Sequence, residues 1–346
     1  MAEGNTSHHG RQVGAYITRV LSGMAQGLFA SLIIGLIIKQ IGHYSGWLLL
    51  EQIGLVAQYL TGPAIGVGVA LAVKAPMLGV LCSAVAGAVG AGTFVLGEGL
   101  SLVKVVLGEP FGAMLASLAG AEISKKVVGK TGVDIIVVPL ATILCGSLVG
   151  HFIASPIAAL MTSLGAFINL LTTLYPLPMG ILVSTVVGMV LTLPISSAAI
   201  CISLGIDGLA AGAAVVGCSC QMIGFAVSSY KENKLGGLIS QGLGTSMLQI
   251  PNIWNNPLIW LPPTLTAAIL GPVSTMVFKM ENNSAGAGMG TSGLVGQFNA
   301  VAVMGFDALP QIVLMHFILP AVITLLISTW MRKKGWIKDG DMLLQK

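Results

Sequence analysis

The chain has 346 residues, of which 55% are apolar and only 8% charged, with 46 glycines, 15 prolines and a formal net charge of +4; its mean hydropathy is +0.93. A soluble domain carries roughly 25% charged side chains to stay hydrated, and 16 Lys and Arg with 12 Asp and Glu cannot cover a globule of this length. Composition therefore excludes a soluble enzyme, a nucleic-acid binder and a secreted disulfide scaffold, and points to a polytopic membrane protein whose positive charge reports loop topology.

A spanning helix needs roughly 20 apolar residues, and the ten-residue alternating strands of a barrel are absent, so the predicted class is all-α. A polar N-terminal tail covers residues 1–12, and the apolar run after it is too long for a signal-peptide core. About ten transmembrane helices are then predicted, with re-entrant or broken hairpins among them. The first five run Val13–Ile41, Gly46–Val73, Pro76–Leu96, Phe111–Ile123 and Asp134–Phe152. The next five run Pro156–Leu174, Pro178–Leu204, Gly208–Ser229, Pro257–Phe278 and Pro310–Met331, before a basic cytoplasmic tail over 332–346. Ten crossings place both termini on one side. With that side cytoplasmic, only Lys39, Lys104 and Lys279 face outward, and the rest of the Lys and Arg, from Arg11 to Lys346, obey the positive-inside rule.

Four of these stretches make poor straight helices. Phe111–Ile123 is too short to cross alone, Gly208–Ser229 carries Cys218, Ser219, Cys220 and Gln221 at its middle, Leu235–Ile250 is amphipathic and Gly-rich, and Glu281–Gly305 concentrates glycine. Such segments suit broken helices or re-entrant hairpins, which survive at membrane depth when buried in protein or lining a cavity, and carriers place their substrates there. A repeat at offset 78 adds to this: Pro194-Ile195-Ser196-Ser197 matches Pro272-Val273-Ser274-Thr275, and Gly208/Gly212 matches Gly286/Gly290.

Polar residues in these apolar surroundings are the candidate binding groups. Asn255 and Asn256 follow Trp254 just before a predicted span, and Glu281, Asn282 and Asn283 precede the Gly-rich run that leads to Gln297 and Asn299. Amides, a carboxylate and an indole suit a sugar, which needs hydrogen bonds to its hydroxyls and an apolar plate for its C–H face. The competing structural reading makes both clusters turn and helix-cap residues. Gln221 and His316 lie mid-span and join the set, since an ionisable intramembrane group is a functional candidate by default. No catalytic residue, cofactor or metal is expected: Cys218 and Cys220, two residues apart, point about 200° apart on a helix and cannot share one ion unless the helix is broken there. All five cysteines fall in apolar spans, and only His8 and His9 among the histidines fall in a cytoplasmic segment.

The stretch Asn255-Asn256-Pro257-Leu258-Ile259-Trp260-Leu261-Pro262-Pro263, with Gly271-Pro272 and the run Gly286 to Gly296, resembles the membrane component of a phosphotransferase-system sugar permease. More narrowly, it resembles the enzyme IIC-like family that includes proteins described as regulators of perfringolysin O. The resemblance implies a homodimeric permease of about ten helices in a bacterial cytoplasmic membrane, with a scaffold part and a mobile part. It further implies inward movement of a sugar, which separate cytoplasmic phosphocarrier subunits phosphorylate. Glucose-type permeases use a Gly-Ile-Thr-Glu hairpin motif; that tetrapeptide is missing here, so their sugar ligands do not carry over. A membrane sensor that signals solute occupancy to a cytoplasmic partner, or an ion-coupled carrier of another small solute, is the alternative.

Overall fold

The structure, a computed structural model, describes residues 3–96 and 102–344, the side chains of 3–11, 96, 102 and 203 excepted. The side chains of His8, His9 and Arg11, and Lys346 of the expected cytoplasmic set, lie outside the described residues. Among the described residues the regular structure is helical except for one antiparallel hairpin, Phe94–Leu96 with Leu102–Val105, which interrupts the end of the predicted third span. The chain divides into two compact units, Met1–Ala159 and Leu160–Lys346.

In the first unit an apolar helical stretch over Gln12–Ser45 is long enough to cross a bilayer. The predicted second span is a bent pair, Leu48–Tyr59 and Thr61–Ala72, turning 51° at Leu60. Met77–Ala91 and Pro110–Val127 follow, each started by proline, whose missing N–H costs nothing in the first turn. These helices approach so closely that a Cβ at Gly66 would meet the Ser83 backbone and one at Gly90 would meet Gly112. Small residues let helix backbones touch where lipid provides no hydrophobic drive between them, which accounts for much of the glycine content. A half-buried polar contact joins distant parts of this unit: Tyr16 donates to Glu122 at 2.6 Å, and Lys125 pairs with the same carboxylate at 2.6 Å.

Two expectations about prolines fail in opposite directions. Asp134–Phe152 and Pro156–Leu174, expected as two spans, form one 39-residue helix, Asp134–Thr172, with Pro139 and Pro156 inside it. At a rise of ~1.5 Å per residue it is about 58 Å long, well beyond a bilayer core of roughly 30 Å. Conversely, Pro178–Leu204 is not one helix. Leu193 takes extended backbone, φ -73° and ψ 158°, and ends the helix Pro176–Thr192, because the ring of Pro194 disfavours the helical conformation in the residue before it. Ser196 then caps a second helix, Ser197–Leu204, by accepting from the Ala199 N–H, and Gly205 closes it at φ 59°. Pro272, the partner of Pro194 in the sequence repeat, sits inside a helix that runs on through Val277, so the two copies adopt different local structures.

By length and apolarity, five helices among the described residues can cross a membrane, or six counting the bent pair. Met77–Ala91, Pro176–Thr192 and Ser292–Met304, each overlapping a predicted span or hairpin, are shorter than a full crossing. The polar middle of Gly208–Ser228 does not break it: it is one continuous helix with 89% of its most apolar window buried, against 22% for Asp134–Thr172. Its neighbours explain this. A Cβ at Gly217 would meet the Ser184 backbone, and one at Gly212 the Met280 carbonyl. Helices 176–192, 261–272 and 319–333 surround it, making it the core helix of the second unit. The two Gly-rich segments are broken, as expected. Tyr230–Ile239 passes through a π turn at Ser240–Gly244 into a 3-10 turn at Ser246–Gln249, and residues 284–304 form a short helix, a turn and a second helix.

Candidate functional site

Every candidate residue lies in the second unit. Gln221, fully buried at the centre of the core helix, accepts from the Trp260 indole at 3.1 Å and from Thr192 at 3.3 Å, and donates to Thr264 at 3.0 Å. Thr192 also shares a hydrogen bond of 2.8 Å with Ser246. This network is closed, since each amide atom of Gln221 has a partner. Trp260 belongs to the stretch that carries the family resemblance, whereas Thr192 and Ser246 are lone hydroxyls that nothing in the sequence singles out.

Gln297 and His316 form a second pair and leave it open. Gln297 lies on the helix Val295–Met304, and His316 is fully buried on a π turn, Leu314–Ile318, a distortion that recurs at functional sites. The amide nitrogen of Gln297 is 3.0 Å from Nδ1 of His316. An amide nitrogen only donates, so Nδ1 accepts and the imidazole proton resides on Nε2. Gln297 Oε1 and His316 Nε2 are both buried without a hydrogen-bond partner. One free acceptor and one free donor are thus held by two bonded side chains. Val216 and Cys220 of the core helix form one apolar cluster with Met280, Ala300 and Met315, the last next to His316 in the chain.

Asn282 and Asn283 shape the backbone that carries Gln297. Asn282 exchanges two backbone hydrogen bonds with Gly208 and donates its amide to the Gly296 carbonyl at 2.9 Å. Asn283 caps the helix Ser284–Ala287 through the Gly286 N–H at 3.1 Å, and donates to Asn299 at 3.0 Å. Further along, Gly290, at φ 53°, lets the turn lie against Cys218 and Ser219, where a Cβ would collide with backbone. Glu281 is exposed at the start of this segment, and its backbone N–H faces Met304 Sδ at 3.2 Å.

Asn255 is exposed at the end of the helix Ile250–Asn255, and Asn256 is committed elsewhere. The Asn256 Oδ1 caps a 3-10 turn through the Leu258 N–H, and its amide donates to Trp336 O at 3.2 Å and Asp341 Oδ2 at 2.7 Å. These contacts belong to a larger clamp on residues 336–344. Asn233 and Gln249 donate to the Met342 carbonyl at 2.8 and 3.0 Å, and Asn252 donates to Leu343 O at 3.0 Å. Ile337 and Met342 are buried in a cluster with Phe225, Ile253 and Ile259, so the predicted basic tail is packed against the unit along much of its length. Among the described residues no three His, Cys, Asp or Glu side chains are grouped to hold a metal.

A family model described as "Phosphotransferase system, EIIC" matches residues 18–344, nearly the whole chain. No curated protein and no solved structure matches. The chain belongs to the phosphotransferase-system EIIC family, and it is a multi-pass membrane protein with the general role of a sugar permease component.

Proposed function

We propose that this EIIC-family chain binds a sugar at Gln297 and His316 and passes it across the bacterial inner membrane as the permease subunit of a phosphoenolpyruvate-dependent phosphotransferase system. The observation that carries the reading is the open pair. Hydroxyls both donate and accept, so separate hydroxyls of one sugar can satisfy Gln297 Oε1 and His316 Nε2–H. Leaving each atom unpaired costs about 1–3 kcal/mol, a cost that a bound polar solute removes. Gln221, with its amide satisfied by Trp260, Thr192 and Thr264, is a second buried polar group of the same unit. Asn282 and Asn283 position the site by fixing the turn before Gln297.

Both atoms are buried, so solute reaches them when the broken segment 284–304 parts from the core helix, the alternating motion typical of carriers built from discontinuous helices. We place both termini and the phosphocarrier subunits on the cytoplasmic side, and the permease in a homodimer, as family membership and the loop charges suggest. The five cysteines all lie in helices, and we assign the phosphoryl group to the separate carriers. Reconstituted chain should accumulate labelled sugar as its phosphate when phosphorylated carriers are supplied, and Gln297→Ala should abolish most of that uptake. Saturable binding without uptake would favour the sensor, and uptake driven by an ion gradient without carriers would favour a secondary carrier.

A further inference from the structure

Two cavities meet at the end of the last span, Phe306–Lys333, and none of the candidate sugar-binding residues lines either of them. The larger, about 710 Å³, has four basic side chains in its wall, Lys231, Arg332, Lys333 and Lys338, against one acidic residue, Asp339. The smaller, about 410 Å³, is apolar and runs along Val322, Leu325, Leu326 and Trp330. Leu325, Thr329 and Lys333 line both, so the cationic cavity and the apolar groove lie on either side of one stripe of the same helix.

The charges are not all spoken for. Arg332 is held by Glu232 at 2.8 Å, Asp339 at 3.1 Å and the Ser228 carbonyl at 3.0 Å. Lys231, Lys333 and Lys338 are exposed, and among the described residues their ammonium groups have no ion-pair partner. In the wall of the same chamber Ser328 is 2% exposed, and its hydroxyl has no hydrogen-bond partner. A buried unpaired donor, three free cations and an apolar furrow at a span end describe a ligand with an anionic head and a hydrocarbon tail. Trp330 and Trp336 stand edge to face at 5.3 Å beside the furrow, and tryptophan is enriched where side chains meet lipid headgroups.

We propose that these adjoining cavities bind an anionic phospholipid, its phosphate held by Lys231, Lys333 and Lys338 with the Ser328 hydroxyl beneath it, and an acyl chain lying across the shared stripe and along Val322, Leu326 and Trp330. The site is independent of the sugar reading, since it shares no residue with it.

Native mass spectrometry of the full chain in detergent, titrated with phosphatidylglycerol or phosphatidylcholine, tests the proposal. The parent protein should retain phosphatidylglycerol at least tenfold better. Lys231→Gln, Lys333→Gln and Lys338→Gln should each reduce that preference about fivefold, the equivalent of the ~1 kcal/mol a basic residue contributes at a membrane surface. Ser328→Ala should reduce it about two- to tenfold, the range expected of one hydrogen bond. Lys130→Gln, in the other unit, should leave it unchanged. Equal retention of the two lipids by the parent would overturn the proposal whatever the variants do. So would full preference in the lysine variants, or competition by soluble glycerol phosphate as strong as that by the lipid, which would mark an anion site with no use for the groove.

Discussion

A hydrogen-bonded Gln–His pair that leaves one acceptor and one donor over is a poor device for stability, because an apolar pair would fill the same space without unpaired atoms. Its presence in a buried position points to a ligand. Gln297→Ala and His316→Ala should each weaken sugar binding by about 1–3 kcal/mol, measured by equilibrium binding on purified protein. Asn256→Ala should behave otherwise. It removes a cap and two contacts to the chain's last residues. Melting should therefore shift by the equivalent of about 0.5–2 kcal/mol, the range of a lost cap, while sugar affinity stays at the parental value. A loss of affinity with unchanged melting in Asn256→Ala would return that residue to the binding site. Sequence alone marks Gln297 and His316 as polar residues in apolar surroundings, but 19 positions separate them. Which face His316 presents depends on the π turn at Leu314–Ile318, and no periodicity announces such a turn.

At the scale of elements, hydropathy finds apolar segments well and their ends badly. Val13–Ile41, Gly208–Ser229 and Pro310–Met331 correspond closely to helical stretches, because a long apolar run leaves few alternatives. The misreadings fall on prolines. Pro156 stays inside a helix and Pro194 ends one, and the residues just past Pro194 make the difference, for Ser196 offers a new cap and Gly205 a new stop. Packing has the same local logic. At Gly217 a Cβ would meet the Ser184 backbone, which cannot swing aside as a side chain can. Gly217→Ala should therefore lower stability by about 1–3 kcal/mol, the usual cost of overpacking. At Gly236 a Cβ meets open space, and Gly236→Ala should be neutral or slightly stabilising. Thermal melts of the two variants in one detergent check the contrast, and equal melting would remove close helix contact as the reason for glycine at 217. The clamped segment gives a third test. Met342 is fully buried, with its carbonyl held by Asn233 and Gln249. Its replacement by alanine should cost about 2–5 kcal/mol in the same melts, far more than truncating an exposed tail residue would.

For the whole molecule, charge decides what helix counting does not. Five or six helices are long enough to cross, and several shorter ones are apolar enough to take part, so the parity of crossings cannot be read from lengths. The loop around Lys125, Lys126 and Lys130, the segment around Lys231 and Lys234, and the group Arg332, Lys333, Lys334 and Lys338 hold most of the basic residues. Each translocated Lys or Arg near a span end opposes insertion, so an orientation that exposed all three groups to the outside would work against the bias that sets membrane topology. All three groups are therefore expected in the cytoplasm. Gly132 and Gly236 are exposed, and a Cβ at either meets nothing within 4 Å, so each accepts a cysteine without disturbing its surroundings. In a background whose five native cysteines are replaced, Gly132→Cys and Gly236→Cys should resist an impermeant maleimide in intact cells and react fully in inverted vesicles. Reaction of both in intact cells would reverse the orientation and place all three basic groups outside. Reaction of one alone would mean that an odd number of crossings separates the Lys130 loop from the Lys234 segment.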